Sequence, residues 1–144
     1  MVISDIIGSR SGDVAVIGPD ALVAEAADMM DERKIGIVVV CSEDGVVLGL
    51  ISERDIVRAV AEGGNDFSVL RVDQLFTEEP QVCSPSDNIE EITDTMHVNQ
   101  FRHMPVVEYG KLVGMVSLGD ILAHTLEEKG FDEKANIWSC LEIL

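Results

Sequence analysis

Apolar positions along the chain change period and then repeat. Val14 to Ile17 is a short apolar run stopped by Gly18-Pro19, and it reads as a strand. Val23, Ala26 and Met30 follow at i, i+3 and i+7, the spacing of one helical face, with Asp20 placed to cap the helix. Ile37 to Cys41 and Val46 to Ile51 are β-branched runs around Glu43-Asp44-Gly45, which predicts a hairpin. A second helix is expected through Ile56-Val57. Shifted by 66 residues, Val16, Pro19, Glu25, Asp28, Met30 and Val40 meet Val82, Pro85, Glu91, Asp94, Met96 and Val106. One deletion in the hairpin turn makes the shift 65, and Gly45, Gly49, Ser52, Asp55 and Ile56 then meet Gly110, Gly114, Ser117, Asp120 and Ile121. The second unit therefore reads like the first. Ser86 stands at the capping position and Ile89, Ile92 and Met96 form the apolar face. Met104 to Val107 and Leu112 to Val116 form the hairpin, and a last helix runs through Ile121-Leu122.

Ile3-Ser4-Asp5-Ile6-Ile7 and Val72-Asp73-Gln74-Leu75-Phe76 read as matching short lead-in helices, and Gly63-Gly64-Asn65-Asp66 as a linker. The expected division is residues 1–65 for the first repeat with its lead-in helix, 66–126 for the second repeat, and 127–144 for a helical tail. In that tail Ile137, Trp138, Leu141 and Leu144 fit one helical face, suited to docking on the body or on a second copy.

Composition narrows the function classes. A chain of 144 residues that is 47% hydrophobic and only 4% aromatic supports a packed, aliphatic core. Ten basic residues against 27 acidic ones give a net charge of −17, which disfavours nucleic acid and anionic membrane surfaces as partners. Cys41, Cys83 and Cys140 are odd in number and widely spaced, as expected of reduced, packed thiols in the cytoplasm. There is no basic segment followed by an apolar run at the N-terminus, and the longest near-apolar run, Ile35 to Cys41, is too short to span a bilayer. His97, His103 and His124 lack metal-ligand spacing, and no nucleophile elbow or phosphate-binding Gly-rich loop is present. Neither a metal site nor an enzyme is expected.

The candidate chemistry sits in the repeated ends, Gly49-Leu50-Ile51-Ser52-Glu53-Arg54-Asp55 and Gly114-Met115-Val116-Ser117-Leu118-Gly119-Asp120. A Ser followed three residues later by an acid at a helix start is a capping-box variant. The same groups suit a nucleotide. A carboxylate offers two acceptor oxygens to a ribose diol, and a helix N-terminus welcomes phosphate. The preceding glycine would let a ligand approach the backbone closely.

These repeats, together with Phe101-Arg102-His103-Met104-Pro105-Val106-Val107, resemble a tandem pair of cystathionine-β-synthase-type (CBS) domains, the Bateman module, over roughly residues 1 to 126. The resemblance implies an α/β (α+β) fold of two units, each with a three-stranded sheet and two main helices, packed with pseudo-twofold symmetry. It also implies clefts for AMP, ADP, ATP or NAD(H) as regulatory ligands, no catalytic cofactor, and a homodimer that acts on an unidentified regulated protein. Carried over, Asp55 with Ser52 and Asp120 with Ser117 would hold ribose and phosphate. Arg102 and His103 would reach the phosphates of the ligand held by Asp55, with Arg54 as a second contact. The ligand of Asp120 would face Ile37 and the Gly119 backbone, so the Asp55 cleft would prefer the more phosphorylated ligand. Val16, Val82 and Cys83 read as core strand residues, on a strand that touches adenine in the family; Met104 and Pro105 complete the typical segment. A protein-interaction scaffold with degenerate, ligand-free clefts is the alternative.

Overall fold

A computed structural model describes residues 1–7, 14–78 and 80–129. In chain order the elements are α1 (Ser4–Ile7), β1 (Val16–Ile17), α2 (Val23–Arg33), β2 (Ile37–Cys41), β3 (Val47–Ser52) and α3 (Glu53–Glu62). A 3-10 turn (Val72–Gln74) and β4 (Thr77–Glu78) follow, then α4 (Ile89–Asn99), β5 (His103–Glu108), β6 (Lys111–Ser117) and α5 (Leu118–Lys129). The described residues fall into two compact units, one of residues 14–78, 80 and 109–112, the other of residues 1–7, 81–108 and 113–129.

In the unit that contains β1 to β4, the sheet order is β1-β2-β3-β4. Strand β1 runs parallel to β2, pairing Val16 with Val39 and Ile17 with Val40, while β3 is antiparallel to both β2 and β4. The helical face read from sequence is buried here. Val23, Ala26 and Met30 of α2 pack with Val38, Val40, Ile51 and Val72. The segment after α3 is stitched to the start of α2, with Val23 N donating to Leu70 O and Val72 N to Ala21 O, both at 2.8 Å.

In the other unit β5 and β6 form a two-stranded sheet. Cys83 adds only an isolated parallel bridge to Val106, with Cys83 N on Pro105 O and Val107 N on Cys83 O. At a shift of 66 this is the counterpart of Ile17 on Val40, so both repeats keep one register. Its core joins Ile3 and Ile7 of the N-terminal segment to Ile89, Ile92, Met96, Met104, Val106, Val116, Leu118 and Ile121. Ile3 is fully buried, and the segment is held by Ile3 N to Asp87 O and Ser4 N to Pro85 O.

The two lead-in segments are thus exchanged relative to chain order. Residues 1–7 complete the core of the second repeat, and Val72 that of the first. The two equivalent glycines explain how the segments fit. A Cβ on Gly49 would collide with Thr77 O and the Phe76 ring, and one on Gly114 would lie 3.2 Å from Ile7 Cδ1. These glycines admit the chain's own lead-in segments, where a ligand was expected to approach.

Other expectations are corrected. Neither Asp20 nor Ser86 caps a helix. The N-cap of α2 is Leu22, which makes no side-chain bond, because residues 18–21 are spent in a turn (Ala21 N to Gly18 O) and Leu22 bridges to Arg71. Asn88 caps α4, accepting from Glu90 N at 2.8 Å and Glu91 N at 3.3 Å, after a turn in which Asp87 Oδ2 accepts from Ser84 N. The expected three strands per unit become four in the first sheet, through β4, and two plus a bridge in the second, where that turn ends pairing after Cys83. Val16 and Val82 are not core residues. They are 42% and 46% exposed, and the alternation of the strand turns Ile17 and Cys83 inward instead. Cys140 and the tail residues Ile137, Trp138, Leu141 and Leu144 lie outside the described residues.

Candidate ribose and phosphate sites

Each Ser-x-x-Asp closes a strand and opens a helix, because Ser leaves the sheet with extended backbone and its hydroxyl takes an orphan helical amide. At the first motif Asp55 N donates to Ser52 Oγ at 3.3 Å and Ser52 N donates to Asp55 Oδ2 at 2.9 Å. At the second, Asp120 N donates to Ser117 Oγ at 3.0 Å and Ser117 N to Asp120 Oδ2 at 3.1 Å. The reciprocal box therefore forms twice. It fixes each carboxylate through one oxygen, Oδ2, at the positive end of a helix. The first helical amide is also engaged, Glu53 N by Gly36 O at 2.9 Å and Leu118 N by Arg102 O at 2.8 Å. Arg54 and Gly119 occupy the position between.

The neighbours of the two carboxylates differ. The Asp55 side chain is only 13% exposed, and its Oδ1 lies 3.9 Å from Nη1 of Arg58, itself 62% exposed. Sequence reasoning named Arg54 and missed Arg58. The signal was its i, i+3 spacing from Asp55 on one helical face. The corresponding residue of the second motif is Ala123.

Beside Asp120 the neighbour comes from the strand. His103 opens β5, half-buried, next to the Arg102 carbonyl that holds the start of α5. Burial pushes the His103 imidazole below its ordinary value of 6.5, the Arg102 charge pushes the same way, and Asp120 opposes both. The neutral ring is therefore favoured at neutral pH, offering one donor and one acceptor. Within one unit, then, His103 stands near Asp120, and the Arg102 carbonyl holds the helix that carries it. The corresponding residues in the first repeat, Gly36 and Ile37, carry no charge, and a Cβ on Gly36 would lie 3.0 Å from Oε1 of Glu53.

Met104 and Pro105 are buried, Ile37 is half-buried, and Val16 on β1 and Val82 beside the Cys83 bridge are exposed. Cys83 is buried, with Sγ 3.7 Å from Pro105 O, and burial together with the Asp87 charge pushes its thiol up to about 12. Burial raises Cys41 as well. Both thiols stay protonated and make poor nucleophiles. Lys34 is a left-handed C-cap (φ 56°), with Nζ 3.5 Å from Asp31. Beside α2 and α3 an open groove of about 610 Å³ is lined by Met30, Ile35, Gly36, Glu53, Ile56 and Val57 among others. Among the described residues no cluster of His, Cys, Asp and Glu is arranged to hold a metal, and no helix is long and apolar enough to cross a membrane.

The CBS domain family matches the chain twice, at residues 3–62 and 72–127. A CBS domain-containing protein of Bacillus subtilis, YhcV, is 28% identical over 126 residues, covering 88% of this chain and 89% of that protein. The crystal structure of a CBS-domain-containing protein from Agrobacterium tumefaciens superposes with a TM-score of 0.78 at 36% identity, covering 86% of this chain and 98% of that one. The fold is shared too with CBSX2 crystallised in complex with AMP, at a TM-score of 0.79 and 24% identity over 89% of this chain and 98% of that one. Two family matches in register with the internal repeat, each ending in its own capped Ser-x-x-Asp, place the chain in the CBS domain family as a tandem pair of CBS repeats.

Proposed function

We propose that this protein is a non-catalytic sensor of adenosine-containing ligands, such as AMP, ADP, ATP or NAD(H), which bind at the two Ser-x-x-Asp motifs. The observation that carries the reading is the duplicated box, in which each carboxylate is fixed through Oδ2 at a helix start. That geometry suits a ribose diol at Asp55 and Asp120 and phosphate near Ser52 and Ser117. The AMP complex of CBSX2 supports the ligand class. Phosphate preference should follow local cations in a chain of net charge −17. With the Arg102 guanidinium on the segment whose carbonyl holds the start of α5, and with Arg58 already turned to Oδ1 of Asp55, we assign the phosphorylated ligand to the second motif, where the sequence expectation gave it to the first.

Thermal unfolding tests the reading directly. A ligand that binds only the folded state at 100 times its Kd stabilises by about 2.7 kcal/mol. AMP, ATP or NADH should therefore raise the midpoint clearly. A flat response to all three would favour the alternative, a protein-interaction scaffold with degenerate sites.

Sensing needs an output. We propose a homodimer that passes occupancy to an unidentified regulated protein in the cytoplasm, where reduced thiols such as Cys41 and Cys83 persist. Val57 and Val60 on α3 are 65% and 61% exposed, an apolar surface beside the α2–α3 groove that self-association would cover. Light scattering should give twice the 15.6 kDa chain mass at micromolar concentration, and a monomer throughout that range would reject the dimer.

A further inference from the structure

The two capping boxes are alike, yet the residue three places beyond the Asp differs, Arg58 in one and Ala123 in the other. Arg58 reaches back along α3 to Oδ1 of Asp55 at 3.9 Å, while Oδ2 is occupied by Ser52 N at 2.9 Å. Both oxygens of the first carboxylate are thereby addressed from within the chain. In α5 the same position is Ala123.

We propose that Arg58 is a specificity-determining latch. It competes with a ribose diol for Oδ1 of Asp55, so that the first motif binds neutral nucleosides more weakly than its carboxylate alone would allow. The inference rests on the ribose-binding reading of the Ser-x-x-Asp motif and names what regulates one copy of it. A diol must donate to the carboxylate oxygens, and it can reach Oδ1 only by sharing it with the guanidinium or turning that group out to solvent. Arg58 is 62% exposed, so the swing costs little packing, and the competition is chiefly electrostatic. Exposed pairs of this kind are weak and are screened by salt. The expected penalty is correspondingly modest, roughly two- to five-fold in affinity. Salt should relieve it. That sign is opposite to the usual salt dependence of nucleotide binding, in which screening weakens the attraction of a phosphate for cations.

The test uses adenosine, a neutral diol, and 2′-deoxyadenosine, which lacks the diol, titrated calorimetrically into the full chain. An Asp120→Ala background isolates the first motif, with Asp120→Asn in its place should the alanine variant fail to fold. The latch predicts that adenosine binds more tightly at 500 mM salt than at 50 mM, that Arg58→Ala tightens it roughly two- to five-fold at low salt, and that the salt response then disappears. The preference for adenosine over 2′-deoxyadenosine should persist in the variant. If that preference is present but Arg58→Ala leaves adenosine affinity and its salt response unchanged, the latch is wrong and the ribose reading stands. If Arg58→Ala weakens both nucleosides equally, Arg58 supports the fold of α3 and does not compete. If neither nucleoside binds, or both bind alike before and after the change, the ribose reading falls and the latch falls with it.

Discussion

Alanine at Gly49 is expected to unfold the protein at a denaturant concentration far below that of the parent, whereas alanine at Gly114 leaves it nearly intact. The two glycines are equivalent by repeat and both lie in a strand that leads to a Ser-x-x-Asp. What faces them differs. The new methyl at Gly49 runs into the Thr77 carbonyl and the Phe76 ring, and β3 pairs there with β4, Gly49 against Glu78 and Leu50 against Thr77. A backbone carbonyl cannot swing away without breaking that pairing. At Gly114 the nearest atom is Ile7 Cδ1 at 3.2 Å, the flexible end of a side chain. Overpacking of a rigid site costs about 3 kcal/mol or more, and an adjustable one about 1 kcal/mol. Urea unfolding curves of the two variants measure the difference directly. Equal midpoints would mean that β4 leaves β3 at little cost and that Gly49 is not there to admit it.

Those glycines also show what sequence reasoning can and cannot read. The repeat, the apolar faces of α2 and α4 and both hairpins follow from period and turn chemistry, which are local and need no partner. Val23-Ala26-Met30 and Ile89-Ile92-Met96 are accordingly buried as their spacing requires. The destination of the lead-in segments is long-range. Nothing in Ile3 or Val72 says which sheet each will cover, so the conserved spacing of Gly49 and Gly114 from Ser was assigned to a ligand. The capping boxes were legible because each spans only four residues. Asn88 was missed as a cap because Ser86 stood in the aligned position, while the turn held by Ser84 and Asp87 delays the helix to Ile89. Arg58 was legible and overlooked. The proximity of His103 to Asp120 was not, since it depends on the long-range contact that brings Leu118 N to Arg102 O.

Asp120→Ala is expected to weaken AMP and adenosine alike at the second motif, by about 1.5–3 kcal/mol, the scale of hydrogen bonds to a charged group. Arg102→Ala is expected to divide the two ligands. AMP should lose affinity by a comparable amount, because a guanidinium binds phosphate through paired charge-assisted bonds, while adenosine, with no phosphate, should be nearly unaffected. The Arg102 side chain is exposed, and the contact that positions α5 is made by its backbone carbonyl, which the substitution retains. Folding should therefore survive the change. Calorimetry in an Asp55→Ala background confines the measurement to the second motif. Equal losses for AMP and adenosine would assign Arg102 to the local fold and remove the basis for a phosphorylated ligand at that motif. Undiminished binding in Asp120→Ala would reduce the second carboxylate to a helix cap.

The exchanged lead-in segments impose an order on synthesis. The core that holds Val23 and Ile51 needs Val72, and its fourth strand needs Thr77 and Glu78, so it cannot assemble when the first repeat leaves the ribosome at residue 65. It must wait for a stretch that belongs, in chain order, to the next repeat. Ile3 waits longer still. It is made well before its buried place, which lies among Ile89, Met96, Val116 and Ile121, more than half the chain away. Until those residues emerge, an apolar N-terminal segment stays unburied. Closing so long a loop adds little to the equilibrium cost, which grows only with the logarithm of its length, but it lengthens the search. Each repeat is thus unable to finish without sequence supplied by the other, and a gene cut between them would yield two halves that each lack a piece of core.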